Sequence, residues 1–323
     1  MTLSRPIAIL DEHPEWSRRL IAALDVRGLP FEKIDHSNHA FDPRDRTPRY
    51  SVIVNRTSPS SHTRGHRGVL FYAEALLAHY EALGTPVINP VAAYRFEKSK
   101  ALQLDLFERL GIRYPRAVVV NRPDQILKSL DRVAFPLIVK PNVGGSGAGI
   151  VRFDARDALD AALATLDFGP DHVALLQEYI EPEEGAIVRI EVLDGRFLYA
   201  IRIVREAESR FNLCPADLCE VPSADLSACP VAPAPGLHVS RVEPPSEAVD
   251  AAVRLARAAS IDIGGIEYLV GRADGQRYFY DVNATSNFVA DAPAVLGFDP
   301  FPAFVDFIVK TAMARRGTQP LCP

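Results

Sequence analysis

Four glycines fall within the six residues Gly144-Gly145-Ser146-Gly147-Ala148-Gly149, between the apolar runs Pro136-Leu-Ile-Val-Lys140 and Ile150-Val-Arg-Phe153. Glycines let backbone N–H groups approach an anion closely, and Lys140 places a point charge at the loop's entrance. Two common phosphate loops are excluded. A Walker loop needs Gly-Lys-Ser/Thr at its end, and a dinucleotide fingerprint needs Gly-x-Gly-x-x-Gly opening a helix. Here a strand follows, so the glycines cap a strand–loop–strand hairpin that can fold over phosphates. A hairpin loop without a ligand is the bland alternative.

The chain around this loop alternates strands and helices. Apolar runs at 6–10, 31–34, 51–55 and 86–89 read as strands, with helices over 16–24 and 70–83. This alternation predicts a mostly parallel sheet. A helix is expected over 96–110, ending at Gly111. Residues 186–192 and 197–204 read as a hairpin turned at Asp194-Gly195, and 264–270 with 277–282 as a second. The stretch 212–245, rich in Pro, Ala, Ser and Cys, reads as an irregular insertion. The organisation expected is an α/β domain with linker helix over 1–115, a central lobe over 116–185 and a C-terminal lobe over 186–323.

Three oxygen donors stand near the C-terminus: Glu267 on one strand, and Asp281 and Asn283 on the next. Period-2 alternation sends Asp281 and Asn283 to one face, and an in-register hairpin brings Glu267 to it. Hard oxygens suit Mg²⁺, which takes few protein carboxylates and completes its shell with water and phosphate. Solvated carboxylates at a strand end are the alternative, and the apolar flanks weigh against it.

Two further motifs flank these. Lys98-Ser-Lys-Ala-Leu-Gln-Leu104 opens the helix that ends at Gly111, and Gln177-Glu178-Tyr179-Ile180-Glu181 follows the glycine hairpin. In this order and at these separations the chain, over about 86–310, resembles the ATP-grasp superfamily. It is most similar to the RimK-like and glutathione-synthetase-like carboxylate–amine ligases. The resemblance implies an ATP-grasp fold, with an N-terminal parallel-sheet domain and two α+β lobes enclosing the nucleotide. It also implies ligation of a carboxylate to an amine through an acyl phosphate. Lys98 and Lys140 match the family's two nucleotide lysines, and Gly144, Gly145, Ser146, Gly147 and Gly149 the phosphate-covering loop. Gln177, Glu178, Tyr179 and Ile180 match the adenine hinge, with Glu181 or Glu184 on the ribose. Arg189 matches the arginine that steadies the acyl phosphate, joined by Arg202 on the neighbouring strand. Glu267, Asp281 and Asn283 match the metal ligands. The implied cofactors are ATP and Mg²⁺, with Mn²⁺ as a substitute.

The departures from the family pattern fall on the acceptor side. Ile187 stands where a charged residue is usual, Asp281 is one carbon shorter than the usual Glu, and the tail after Asn283 is Ala-Thr-Ser-Asn287-Phe. A small-molecule kinase and a nucleotide-binding regulator without catalysis remain as other readings of the same site.

Composition narrows the partners. The formal charge is −5, from 36 basic and 41 acidic residues, which argues against non-specific nucleic-acid or membrane-surface binding. No apolar run approaches the ~20 residues of a membrane span. Four cysteines in 323 residues favour a reducing cytoplasm without a disulfide framework. The partners expected are a small carboxylate and an amine, with a homodimer as the assembly left open.

Cys214, Cys219, Cys229 and His238 lack the close pairing of structural zinc sites, and reduced thiols are the better reading. Arg210-Phe211-Asn212 lies where relatives often contact substrate, and Arg205 reads as a solvated charge. His62 and His66 sit in a loop without metalloprotease spacing. In the same loop region Arg56, Arg64 and Arg67 are placed to draw in an acidic substrate. Trp16 reads as packing.

Overall fold

The computed structural model describes residues 3–13, 15–145, 147–205 and 237–314. Strands β1 (Ile7–Asp11), β2 (Phe31–Asp35), β3 (Val52–Asn55) and β4 (Val87–Ile88) form a parallel sheet in the order β2-β1-β3-β4. Strands β1 and β3 are buried along their whole length, which is why they read as continuous apolar runs rather than alternating ones. Helix α1 (Arg18–Val26) turns Leu20 and Leu24 inward and leaves Val26 87% exposed, and α2 (Val69–Ala82) packs with the sheet through Ala73, Leu76 and Leu77.

The helix expected over 96–110 is two helices. Helix α3 (Val91–Glu97) ends at Lys98, and α4 (Lys100–Arg109) starts two residues later. Ser99 between them is extended, and its hydroxyl accepts from the Leu102 N–H at 3.3 Å as an N-cap. Buried Glu97, the last residue of α3, accepts from the Ala284 N–H and the Thr285 hydroxyl.

Strands β5 (Ala117–Val120), β6 (Leu137–Pro141), β7 (Val151–Phe153) and β8 (Ala174–Glu178) form an antiparallel sheet in the order β5-β8-β6-β7. Helices α5 (Pro123–Lys128) and α6 (Arg156–Ala162) supply Ile126 and Leu159 to a core of its own. Strands β9 (Pro182–Leu193), β10 (Arg196–Arg205), β11 (Leu237–Arg241), β12 (Ile263–Gly271) and β13 (Arg277–Asn283) make a second antiparallel sheet, β11-β10-β9-β12-β13. This sheet begins at Pro182 rather than 186, so Glu184 lies inside β9. Part of the stretch expected to be irregular is ordered: β11 pairs with β10 from Ile201↔Arg241 to Arg205↔Leu237. Ser146, Arg210, Phe211, Asn212, Cys214, Cys219 and Cys229, and the side chain of Arg205, lie outside the described residues.

The five-stranded sheet is covered on both faces. On one side α4 and α7 (Ser246–Ala258) bring Phe107, Ala252 and Leu255 onto Ile190, Val192 and Ile266. On the other, past α8 (Ala292–Leu296), α9 (Phe301–Ala314) packs Phe304, Val305 and Ile308 among Ile7, Val54, Ile187 and Ile201. The first and third sheets therefore share a core, while the second packs one of its own and adds Leu175 of β8 to the core beneath α4 and α7. Among the described residues no helix is long and apolar enough to cross a membrane.

Candidate active site

Strand register assembles the site. Arg189 of β9 lies directly opposite Glu267 of β12, which lies directly opposite Asp281 of β13. Residues paired across adjacent strands share a face. Three side chains far apart in sequence thus form a row across three strands. Arg189 Nη1 donates to Glu267 Oε1 at 2.9 Å, and Asn283 Nδ2 donates to Asp281 Oδ2 at 3.1 Å. A bulge after Glu267 shifts the next pair to Tyr268↔Phe279 and frees Tyr280, whose hydroxyl donates to Glu267 Oε2 at 2.9 Å.

Gly265 makes room for the row. A Cβ there would stand 2.2 Å from Arg189 Nη2, so any side chain displaces the guanidinium. Below it is a residue that sequence reasoning missed. Glu191, 1% exposed, accepts from Arg189 Nε at 2.6 Å and from the Ser286 hydroxyl at 2.9 Å. Ile187 does leave Arg189 without a charged neighbour two residues before it. Glu191 supplies one two residues after it, on the same strand face. A lone Glu in the run Ile-Val-Arg-Ile-Glu-Val-Leu was the available signal. Burial lowers the Arg189 pKa, and the charges of Glu191 and Glu267 more than offset it, so the guanidinium stays protonated.

Lys140 lies near the end of β6 and is 4% exposed, with no hydrogen bond or ion pair among the described residues. Burial pushes its pKa down to about 7, helped by the Lys100 charge and opposed by Asp281 and Glu267. The second lysine of the cleft is Lys100, whose Nζ donates to Asp281 Oδ1 at 2.6 Å. Burial lowers its pKa too, but the adjacent Asp281 charge prevails and the net shift is upward. Asp281 mirrors this: burial raises it, Lys100 lowers it further, and it stays ionised. Facing Glu267 shifts upward, because burial outweighs Arg189. Asn142, just after β6, joins the lysines' elements. Its carbonyl accepts from the Lys100 N–H at 3.2 Å and its Oδ1 from the Ala101 N–H at 2.8 Å.

Several expected residues are placed elsewhere. Lys98 turns away from the cleft, pairing with Glu74 of α2 near the rings of Phe71 and Tyr94. The break at Ser99 is the reason, because it separates Lys98 from the helix that carries Lys100. Arg202 pairs with Val188 in register, so alternation puts it on the face opposite Arg189. It bonds Glu184 there, and Glu181 pairs with Arg272 at 2.6 Å; none of the three lines the cleft.

Gly144, Gly145 and Gly147 line the cleft, and so do Gln177, Glu178, Tyr179 and Ile180. Gly149 serves the turn instead: its φ is +74°, and a Cβ would lie 2.7 Å from Pro141 Cγ. At the hinge, the Glu178 N–H donates to Arg116 O and the Tyr179 N–H to Pro136 O, both at 2.9 Å. The Ile180 N–H is left without a partner among the described residues. The Arg152 guanidinium lies 4.2 Å over the Tyr179 ring.

Two carboxylates and an amide oxygen, all hard donors on one strand pair, fit Mg²⁺ supplemented by water and phosphate. Among the described residues no three His, Cys, Asp or Glu side chains gather as a cation site, so a metal here needs non-protein oxygens as well.

Known proteins match this arrangement. The RimK-like ATP-grasp domain family model matches residues 97–225. A probable alpha-L-glutamate ligase of Vibrio vulnificus is 30% identical over 221 residues, covering 64% of this chain and 70% of its own. A similarly named protein of Shewanella baltica is 25% identical over 324 residues, covering 95% and 96%. Among solved structures, the ATP-grasp ligase PsnB complexed with minimal precursor superposes with a TM-score of 0.67 at 19% identity, covering 95% of this chain and 100% of that one. D-alanine–D-alanine ligase from Bacillus anthracis gives 0.67 at 19%, covering 97% and 99%. With its parallel sheet, its glycine hairpin and the Arg189–Glu267–Asp281 row, the chain belongs to the RimK-like ATP-grasp family of ATP-dependent carboxylate–amine ligases.

Proposed function

We propose that the cleft between the two antiparallel sheets binds Mg-ATP and activates the carboxylate of an amino acid or small peptide for attack by an amine. The observation that carries this is the Arg189–Glu267–Asp281 row, flanked by Lys100 at the start of α4 and by Lys140 on the lobe opposite. Buried, unpaired Lys140 faces the α- and β-phosphates, and Lys100 takes the role expected of Lys98. N–H groups of Gly144, Gly145 and Gly147 cover the phosphates. The free Ile180 N–H meets the adenine edge, with the Tyr179 ring beside it. Glu267, Asp281 and Asn283 hold Mg²⁺, which neutralises phosphate charge when bound.

A carboxylate is a poor electrophile, so a leaving group must be installed first. The substrate carboxylate oxygen bonds the γ-phosphorus, and the bond to ADP breaks. The amine nitrogen then attacks the acyl carbon, phosphate leaves, and the amine proton passes to solvent. Such chemistry depends on positioning and on neutralising charge. Arg189, held by Glu191 and Glu267, offers a preorganised cation where negative charge develops.

The names of the relatives make L-glutamate the first substrate to test, and a reducing, ATP-supplied cytoplasm suits the reaction. The test is a matrix of acids against amines, read by ADP release. ADP that appears only when an acid and an amine are both present supports the ligase. A stable phosphorylated product from a single substrate would overturn it.

A further inference from the structure

Arg56 lies just beyond the carboxyl end of β3 and is buried, yet no carboxylate stands within ion-pair distance of it among the described residues. Its Nη1 donates to the Ser286 carbonyl at 2.7 Å, its Nη2 donates to Asn287 Oδ1, and its Nε has no partner among the described residues. A buried cation without an ion pair is costly, and such sites call for an anion. The guanidinium claims the oxygen of the Asn287 amide, which lines the cleft. An amide so held keeps only its two N–H donors for the cleft.

The wall beside Asn287 is also rich in donors. Ser58 and Ser60 line it with their hydroxyl oxygens 2.8 Å apart, and Trp16 lines it with an indole N–H that has no partner among the described residues. The carboxylate that lines this wall, Glu97, is spent on the Ala284 N–H and the Thr285 hydroxyl, and burial pushes its pKa up; Glu12 behind the wall accepts from Arg64 and meets His66 Nδ1 at 3.0 Å. Asp11 below is buried, and that burial favours its neutral form. Arg56 feels Asp11, Glu97 and Glu191 only at a distance, and a cation without a contact ion pair behind a wall of donors favours an anion.

Distance gives the anion its place. Asn287 is four residues beyond Asn283, at most ~14 Å along an extended chain. Both residues line the same cleft, so a substrate whose reacting end sits at the metal-binding residues has Asn287 on the wall beside its remote end.

We propose that Asn287, oriented by Arg56 and assisted by Ser58, Ser60 and Trp16, is the specificity-determining residue for a second carboxylate on the amino-acid or peptide substrate, remote from the bond being made. This rests on the nucleotide and ligase reading above. The β1–β3 edge is also where strand order reverses in the parallel sheet, the crevice in which open α/β sheets take ligands.

The test uses the full chain saturated with AMPPNP and Mg²⁺, titrated with L-glutamate, L-glutamine and isoglutamine (the α-amide). The wild type should bind glutamate at least tenfold more tightly than one of the two amides. Asn287→Asp replaces the donors with a charged acceptor and pairs with Arg56, so the fold is kept. It should erase that preference while AMPPNP affinity stays within twofold. Ser60→Ala, a milder change, should weaken glutamate several-fold and leave AMPPNP alone. An equal preference in wild type and Asn287→Asp, or no preference in the wild type, overturns the subsite. Failure of AMPPNP itself to bind overturns the nucleotide reading instead.

Discussion

Two lysines two positions apart have opposite fates, and the difference is measurable. Lys100 is buried against Asp281, whereas Lys98 pairs with Glu74 outside the cleft. Lys100→Met should cut the ligation rate by roughly two orders of magnitude, a typical loss for a charge that stabilises the transition state. Lys98→Met should stay within a few-fold of wild type; equal losses in kcat/KM would show that the lysines are misassigned. Lys140 adds a pH signature. With its pKa near 7 it is half protonated at neutrality, and bound phosphates raise that value. Binding above pH 7 must therefore take up a proton. The AMPPNP dissociation constant should rise with pH from 7 to 9 by up to about tenfold per unit, and calorimetry in two buffers should register the uptake. Lys140→Arg, charged throughout, should flatten the profile.

At the scale of strands, register decides which side chains meet. Gly265→Ala changes no ionisable group, yet its methyl would overlap the Arg189 guanidinium. It should behave like Arg189→Met, keeping AMPPNP affinity while losing most of kcat. An Ala variant with wild-type kcat would show that Arg189 moves without consequence. Just before β12, the Asp262 pKa is pushed up to about 7 by burial and by the Asp194 charge. A carboxyl whose folded pKa exceeds its unfolded value leaves stability intact below about pH 4. That stability is lost as pH rises to 7, with no further change above. Asp262→Asn should therefore raise the melting temperature at pH 8, by a few kcal/mol of stability, and leave it unchanged at pH 4. A gain that does not vary with pH would contradict this origin.

In the whole molecule, the two antiparallel sheets are anchored differently. The five-stranded sheet shares α9 and a core with the N-terminal sheet, whereas the lobe of β5–β8 has a core of its own and joins the rest through Leu175 and Ala117, packed near Phe107, and along the cleft. The glycine hairpin reaches the N-terminal domain, where a Cβ on Gly145 would lie 3.2 Å from the Ser60 Cβ. Motion of the β5–β8 lobe as a unit is the mode these cores allow. AMPPNP with Mg²⁺ should reduce the radius of gyration in solution scattering and protect the glycine hairpin from proteolysis. An unchanged scattering curve together with tight nucleotide binding would mean a rigid cleft.

Much of this was legible in the residues themselves. Apolar runs and their periods marked most of the strands and helices, because burial on one or two faces writes a pattern with a fixed repeat. Lys140, its glycine loop and the Glu267, Asp281, Asn283 set stood out because their chemistry depends on residue type and short spacing. The break at Ser99 was hidden, since Leu102, Leu104 and Leu106 continue an apolar pattern across a cap made by one hydroxyl and by Asn142, some forty residues away. Strand β11 was hidden as well, because an edge strand with one partner needs little apolar patterning. Which arginine faces the cleft depended on pairing across strands: Arg189 stands opposite Glu267 while Arg202 stands opposite Val188. Local sequence determined the kinds of groups available, and the tertiary structure alone decided which of them meet, because strand register and the direction of a chain break are settled by contacts between residues far apart in sequence.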